Sequence, residues 1–483
     1  MPVKRKVKLF KLAGCAFFVI FALLYSHVEV GMSGIESGRF ATIQAVAEQG
    51  VFHIEKCNFR TVDKSVRNNH VYSDKLPALP LAVALVYKPF HRYCGINFVD
   101  NYHLSIYLIN LLLGAVVNVL LFLWIFDLLR GIKKGKIELK FLLAMGCVGG
   151  SWIISYSTML NNHTPAALAV LGIFAALMRY RKVPAFPAAF LAGFSAGIAG
   201  LLEAPCGLFF GIAALTGIFF SAPRDKRLLH TASAAGAGAL CLLTGLFINW
   251  YAYGTVLPLY MAGSGGKGTY TPTMHSDLFY YCYHALLGDR GIFAYTPFLL
   301  SGLWYCVKHF KHLCPSERAL ALGGLGFMLF YLLCTNEFGG QSYGLRYFIP
   351  VIPLLWYWGG KMVLELPDRK WKAPVVAVLI FWGVVTGLAG AYHPFSIGNE
   401  GERSPEGHFS RNFSSFGGNL LCWSYEYFPQ SSLTQRLFDR YGLSDCIQYL
   451  YWSYFHQKKI EQLQKMQQDF PEFYPGRKIQ NTP

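Results

Sequence analysis

Charge is scarce in this sequence. Asp, Glu, Lys and Arg make up 14% of its 483 residues, where a soluble protein carries about a quarter. Acids are scarcer still: 26 against 43 bases, a net charge of +17. The bases do not form a stripe of Lys and Arg with interleaved aromatics, so nucleic acid is set aside as a partner. They fall in short clusters between apolar runs, the bias of a chain whose basic loops stay cytoplasmic. The twelve cysteines include no CxxC pair, and no Cys/His spacing suggests a metal centre. The start, "MPVKRKVKLFKLAGCAFFVIFALLYS", is basic and then apolar, with no small-residue cleavage site behind it. It reads as an uncleaved signal-anchor helix. No internal repeat stands out, which counts against a secondary transporter.

What is abundant is apolar sequence, at 54% of the chain with 16% aromatic. Runs near the length needed to cross a bilayer, about 20 residues, recur throughout. Keeping every basic cluster on one side (Lys4 to Lys11, Arg130 to Lys140, Arg179 to Lys182, Arg224 to Arg227, Lys308 to Lys311, Asp368 to Lys372) predicts about eleven crossings. They run over Leu12–Val28, Tyr102–Leu128, Phe141–Met159, Thr164–Leu177, Ala185–Leu202, Ala204–Phe220, Leu228–Trp250, Gly291–Phe310, Ala319–Cys334, Tyr347–Val363 and Ala373–Tyr392. The expected fold is an all-α polytopic membrane protein with a long first external loop. "LPALPLAVALVY" is too short and proline-rich to cross and would invert the topology, so it reads as an interfacial helix within that loop. Residues 1–392 form the membrane unit, and 393–483 a polar, external, partly helical tail. Its "CIQYLYWSYFHQKKIEQLQKMQQ" has helical periodicity and is expected to lie against the bundle or the interface.

Ionisable residues sit at nearly every external helix end, where burial near lipid makes them costly and therefore candidates for function. Glu36 lies just past the first span with Arg39 one helical turn on, able to share its face. A carboxylate held there can act as a general base; it can equally pair with Arg39 as a cap. Asp63, Tyr72, Asp74 and Lys75 follow in "TVDKSVRNNHVYSDKLP". Lys75 is a compact cation, and Arg346 in "NEFGGQSYGLRYFIP" offers a planar fork; both suit phosphate oxygens. Each stands where an apolar segment begins, the depth at which a lipid phosphate presents itself. His163 in "LNNHTP", Glu203 in "GLLEAP", Arg290 in "LLGDRGIFAYTP", and Gln341 and Tyr343 beside Arg346 complete one shared polar site. Glu36, Asp63 and Asp74 are not at metal-ligand spacing. The cofactor is therefore left open: a divalent ion is compatible with the sequence but not indicated by it.

These residues resemble the first loop of the GT-C superfamily of integral-membrane glycosyltransferases, which includes protein O-mannosyltransferases and aminoarabinose transferases of lipid A. Those proteins carry an acid after the first span in a pattern like Asp-Glu-x-Arg-Tyr-Ala; here the stretch is "ESGRFA", with Ser37 where the second acid stands. Their Asp-Lys-Pro-Pro is similar to "YSDKLP", with Leu76 replacing the first proline. "TVDKSVRNNHVYSDKLPALPLAVAL", "GGQSYGLRYFIPVIPLL" and "LLGDRGIFAYTPFLL" resemble uncharacterised bacterial members. The resemblance covers roughly Leu12 to Tyr392 and implies a site on the non-cytoplasmic face of a bacterial inner membrane. It also implies a polyprenyl-phosphate-linked sugar as donor, a glycan, lipid or protein hydroxyl as acceptor, and transfer with inversion. Glu36 would then serve the acceptor as base and Lys75 would hold the donor phosphate; Arg346 is added as a second phosphate ligand on chemical grounds. The alternative is a transporter or flippase of a lipid-linked saccharide. A third reading, a non-catalytic scaffold, leaves the Asp-Lys and Gly-rich Arg loops unexplained.

Overall fold

The computed structural model describes residues 3–28, 30, 34–61, 63–259, 278–335, 339, 342–367, 372–394 and 414–442. It is the all-α polytopic membrane protein that the sequence predicts; among the described residues the β-structure is one two-stranded ribbon. The chain runs through α1 (Val3–Tyr25), α2 (Gly34–Gln44), β1 (Lys64–Arg67), β2 (His70–Ser73), α3 (Ala78–Cys94), α4 (Tyr102–Arg130), α5 (Ile137–Gly149), α6 (Trp152–Tyr156), α7 (His163–Lys182), α8 (Phe186–Leu202), α9 (Ala204–Ser221) and α10 (Arg227–Tyr253). Further long helices follow at Leu299–His309, Pro315–Cys334, Ile352–Glu365 and Lys372–Tyr392.

Among the described residues, seven helices are long and apolar enough to cross a membrane: α1, α4, α7, α9, α10, Pro315–Cys334 and Lys372–Tyr392. The other predicted spans are helical but shorter or interrupted. The third breaks at Gly150 and Ser151, between α5 and α6, where Ser151 Oγ caps the new helix by accepting from Ile153 N. The break lets the Lys372–Tyr392 helix approach, since Gly383 lies against the Gly150 backbone. The eighth is split between Ile292–Tyr295 and Leu299–His309 at Pro297, which lacks the amide needed to continue a helix. The tenth starts as a 3-10 turn, Arg346–Val351, containing Pro350. The helix in "LPALPLAVALVY" begins at Ala78 and runs past Pro89 to Cys94, longer than the sequence suggests. Tyr87 anchors it, donating to Glu48 Oε1 at 2.9 Å, while Leu85, Val86 and Tyr93 face outward.

Two kinds of packing build the bundle. Around α5, α7 and the Ile352–Glu365 helix the core is aromatic, with Trp152, Trp356, Trp358 and Tyr180 fully buried. Trp356 Nε1 donates to Leu143 O at 2.7 Å. Between α8, α9 and α10 it is built from small residues. A Cβ on Gly193 would strike the Ala234 backbone, the close approach that stabilises helix pairs in lipid. Outward-facing leucines and phenylalanines, such as Leu12, Leu24, Leu243 and Phe247, give the bundle its lipid-facing surface. In the tail, a helix over Ser415–Tyr427 packs on the bundle, with Asn419 donating to Ala389 O at 2.8 Å. The aromatic segment from Cys446 onward lies outside the described residues.

The described residues of the basic clusters gather at one end. Lys6 pairs with Glu138 and Lys11 with Asp127, each at 2.7 Å, joining the first cluster to the second. Lys361 pairs with Glu317 at 3.0 Å and Ser221 Oγ lies 3.2 Å from Ser316 Oγ, bringing the later clusters together. The first loop folds over the opposite end.

Candidate active site

The site is assembled from helix ends and the first loop. α2 starts at Gly34 and carries Glu36 in its first turn, with no exposed surface. Arg39, a turn later, is also buried, and its Nη2 donates to Asn162 Oδ1 at 2.6 Å. Asn162, at the start of α7, donates in turn to Leu202 O at 3.0 Å, tying α7 to the end of α8. Arg39 Nη1 has no hydrogen-bond partner among the described residues. Burial and the nearby Arg346 push the Arg39 guanidinium down to about 10, against the pull of Glu36, Asp63 and Asp74.

The ribbon delivers Lys75. β1 and β2 pair antiparallel, Lys64 opposite Ser73 and Arg67 opposite His70. Asn68 and Asn69 make the two-residue turn with positive φ at both positions, 50° and 60°, the geometry that matches strand twist and that Asn tolerates. At the other end the ribbon rests on α2. A Cβ on Gly38 would lie 2.7 Å from Ser73 Oγ, so the glycine of "ESGRFA" is what admits the strand. Lys75 follows directly, its Nζ 3.0 Å from Asp74 Oδ1 and 3.2 Å from Asp63 Oδ2. Burial raises the Asp74 carboxyl above its usual range, and Lys75 opposes that shift.

The facing wall comes from α7, the α8–α9 junction, the Pro315–Cys334 helix and the 3-10 turn. His163 Nδ1 lies 3.0 Å from Glu203 Oε2, and the Tyr331 hydroxyl donates to Glu203 Oε1; all three side chains are buried. Tyr331 stacks on Tyr347 at 4.4 Å, and the Arg346 guanidinium lies 5.5 Å from the Tyr347 ring centre. These groups enclose a cavity of about 130 Å³ lined by Arg39, Lys75, Asn162, His163, Glu203, Tyr331, Arg346 and Tyr347. Its charged wall is thus three cations and one carboxylate, with His163 beside the carboxylate. Each bundle helix that reaches it does so with the end opposite its basic cluster: α7 by its start, α8 by its end, α9 by its start.

Of the residues the sequence singles out, Arg39, Lys75, His163, Glu203 and Arg346 meet on the cavity wall. Glu36 stands behind Arg39, and Asp63 and Asp74 behind Lys75. Tyr72 is placed elsewhere, packed with Tyr253 and Leu259 against the end of α10. Arg290 and Tyr343 brace the loop that carries Arg346. Arg290 Nη1 donates to Ser342 O at 3.0 Å, and Tyr343 donates to Thr386 O at 2.7 Å. Gln341 lies outside the described residues. The sequence reading missed Asn162, Tyr331 and Tyr347. Asn162 stood next to His163 in "LNNHTP"; the tyrosines were indistinguishable from interfacial aromatics.

Two apolar clefts adjoin the cavity. Leu76 and Ala204 line both the cavity and a cleft of about 240 Å³ bounded by Gly200, Leu242, Leu246 and Pro258. Gly200, Ala204 and Leu242 carry on into a second, of about 440 Å³, between α8, α9 and α10. Among the described residues, the His, Cys, Asp and Glu side chains whose ligand atoms converge as a metal would require are not Glu36, Asp63 and Asp74 but His53, Glu55 and His70.

No protein-family profile and no curated protein matches the chain. Among solved structures it is similar to that of ArnT from Cupriavidus metallidurans bound to undecaprenyl phosphate. The likeness spans 98% of this chain and 89% of that one, at 12% identity and a TM-score of 0.48. At that distance it assigns no role to any residue.

Proposed function

We propose that the chain is a membrane glycosyltransferase. It would move a sugar from a polyprenyl-phosphate donor to an acceptor hydroxyl, with inversion, on the periplasmic side of a bacterial inner membrane. The observation that carries this reading is the junction at Leu76 and Ala204. There, a cavity walled by Arg39, Lys75 and Arg346 adjoins apolar clefts, sharing lining residues with them. A ligand with a phosphate head and a hydrocarbon chain matches that change of surface. The position of the basic clusters at the opposite end supports the external face, and the first-loop resemblance to GT-C enzymes supports the reaction.

In this reading the acceptor oxygen attacks the anomeric carbon as the bond from that carbon to the phosphate oxygen breaks. The electron pair goes to the phosphate, whose growing charge Lys75, Arg346 and Arg39 stabilise. The leaving group therefore needs no proton. The acceptor's proton goes to a carboxylate, the role proposed for Glu36. Because Glu36 is fully buried behind Arg39, substrate must bring it into reach, as catalytic contacts often tighten only in the complex. Glu203, on the wall and held by His163 and Tyr331, is the comparison residue for that assignment.

Incubation of the purified chain in liposomes with labelled polyprenyl-phosphate sugars and an acceptor extract tests the reading. Transfer of label to the acceptor is expected. Movement of intact donor across the bilayer without cleavage would replace the transferase with a flippase.

A further inference from the structure

Away from the cavity, at the turn end of the ribbon, three side chains converge that the proposed reaction does not use. His53 and Glu55 belong to the segment after α2, and His70 opens β2. His53 Nδ1 lies 2.5 Å from Glu55 Oε2, and His70 Nδ1 lies 3.1 Å from Glu55 Oε1. The two imidazoles stack, with centres 4.4 Å apart and planes 16° from parallel. One ligand atom from each of the three lies within 4.8 Å of the other two.

We propose that His53, Glu55 and His70 form a site for a divalent transition metal, of which zinc is the best fit. Two imidazoles and a carboxylate are a known three-ligand set for zinc, completed by water. Imidazole also favours zinc, copper or nickel over magnesium and calcium. The side chains are 26%, 31% and 49% exposed, so water can reach the fourth position and the ion has a path in. The carboxylate is already oriented: Val71 N donates to Glu55 Oε1 at 2.6 Å, the kind of outer contact that fixes a metal ligand. The two segments are joined by backbone as well, Ile54 N donating to Val71 O at 2.8 Å. Without metal the same atoms make a clasp in which each ring donates Nδ1–H to the carboxylate. With metal, each ring carries its proton on Nε2 and offers Nδ1 as a lone pair. The ligand–ligand distances then open from hydrogen-bond contact to the wider spacing of a tetrahedral ion.

The site has a consequence for the ribbon. β2 begins with His70 and ends at Ser73, two residues before Lys75. A metal that ties His70 to the 53–55 segment therefore fixes the strand that presents Lys75 to the cavity.

The untagged, chelator-stripped chain in detergent is titrated with zinc by calorimetry, with bound metal counted by elemental analysis. One equivalent is expected, and magnesium should not compete for it. His53→Ala and His70→Ala should each weaken binding by at least about tenfold, while His70→Cys, which keeps a zinc ligand, should retain it. Zinc-free variants are expected to keep the wild-type circular-dichroism spectrum and a cooperative melt lowered only slightly by loss of the partly exposed clasp, which separates loss of the site from loss of the fold. Absence of a zinc equivalent in the wild-type chain overturns the proposal in favour of a purely hydrogen-bonded clasp. Undiminished binding in the His53→Ala, His70→Ala double variant overturns it equally.

Discussion

The two ends of the bundle hold charge in opposite ways. At the basic end the pairs are exposed: Lys6–Glu138, Lys11–Asp127 and Arg130–Asp127 all have side chains about a third or more open to solvent. Such pairs contribute little stability, roughly 0–1 kcal/mol; under the proposed topology the basic residues there favour a cytoplasmic location for that end. At the cavity end, Glu36, Arg39, His163, Glu203 and Arg346 are each at most 6% exposed. Charges buried that deeply are expensive, and removing one partner strands the other. A chain so short of charge therefore holds it in two distinct ways, exposed in pairs at one end and buried around a cavity at the other; the proposed function gives the first the role of orientation and the second that of binding.

The comparison can be broken outright by topology. On a background without reactive thiols, Val66→Cys and Lys133→Cys should label from opposite sides of a sealed vesicle; labelling from one side would put both ends in one compartment. Next in size is chemistry. Glu36→Gln should keep donor affinity and slow transfer by at least about a hundredfold, the usual contribution of a positioned base. If Glu203→Gln shows that loss and Glu36→Gln does not, the base is Glu203. Binding comes third. Lys75→Ala and Arg346→Ala each remove a charge-assisted contact of about 1.5–3 kcal/mol, so donor affinity should fall roughly ten- to a hundredfold by titration. Unchanged affinity in both would move the phosphate elsewhere. The smallest effect belongs to the basic end: Lys6→Ala should leave transfer unaltered and shift stability by less than about 1 kcal/mol. A large loss of activity there would end the division of roles.

Much of this was legible in the sequence, for identifiable reasons. Hydrophobic runs and clustered bases located the helices, because a bilayer imposes length and sign on a chain. Their interruptions were not legible. Gly150–Ser151 and Pro297 sit inside windows that remain apolar, and composition does not register a broken hydrogen-bond ladder. For the site, helix-end charges marked Arg39, Lys75, His163, Glu203 and Arg346. Their meeting depends on contacts between elements distant in the chain, such as Arg39 with Asn162. Tyr331 and Tyr347 were hidden because 16% of the chain is aromatic, so one more tyrosine near a helix end carries no signal. The His53–Glu55–His70 cluster was hidden differently. It exists only once the Asn68–Asn69 turn sets the ribbon register that brings His70 beside Glu55.

The junction at Leu76 and Ala204 also bears on kinetics. If the head of a donor rests in the polar cavity and its chain in the clefts between α8, α9 and α10, donor and spent carrier exchange sideways, within the plane of the bilayer. Supply is then a two-dimensional encounter, and the relevant concentration is donor per unit of membrane area. Adding inert lipid at fixed protein and donor should slow the reaction by surface dilution, while enlarging the aqueous volume should leave it unchanged.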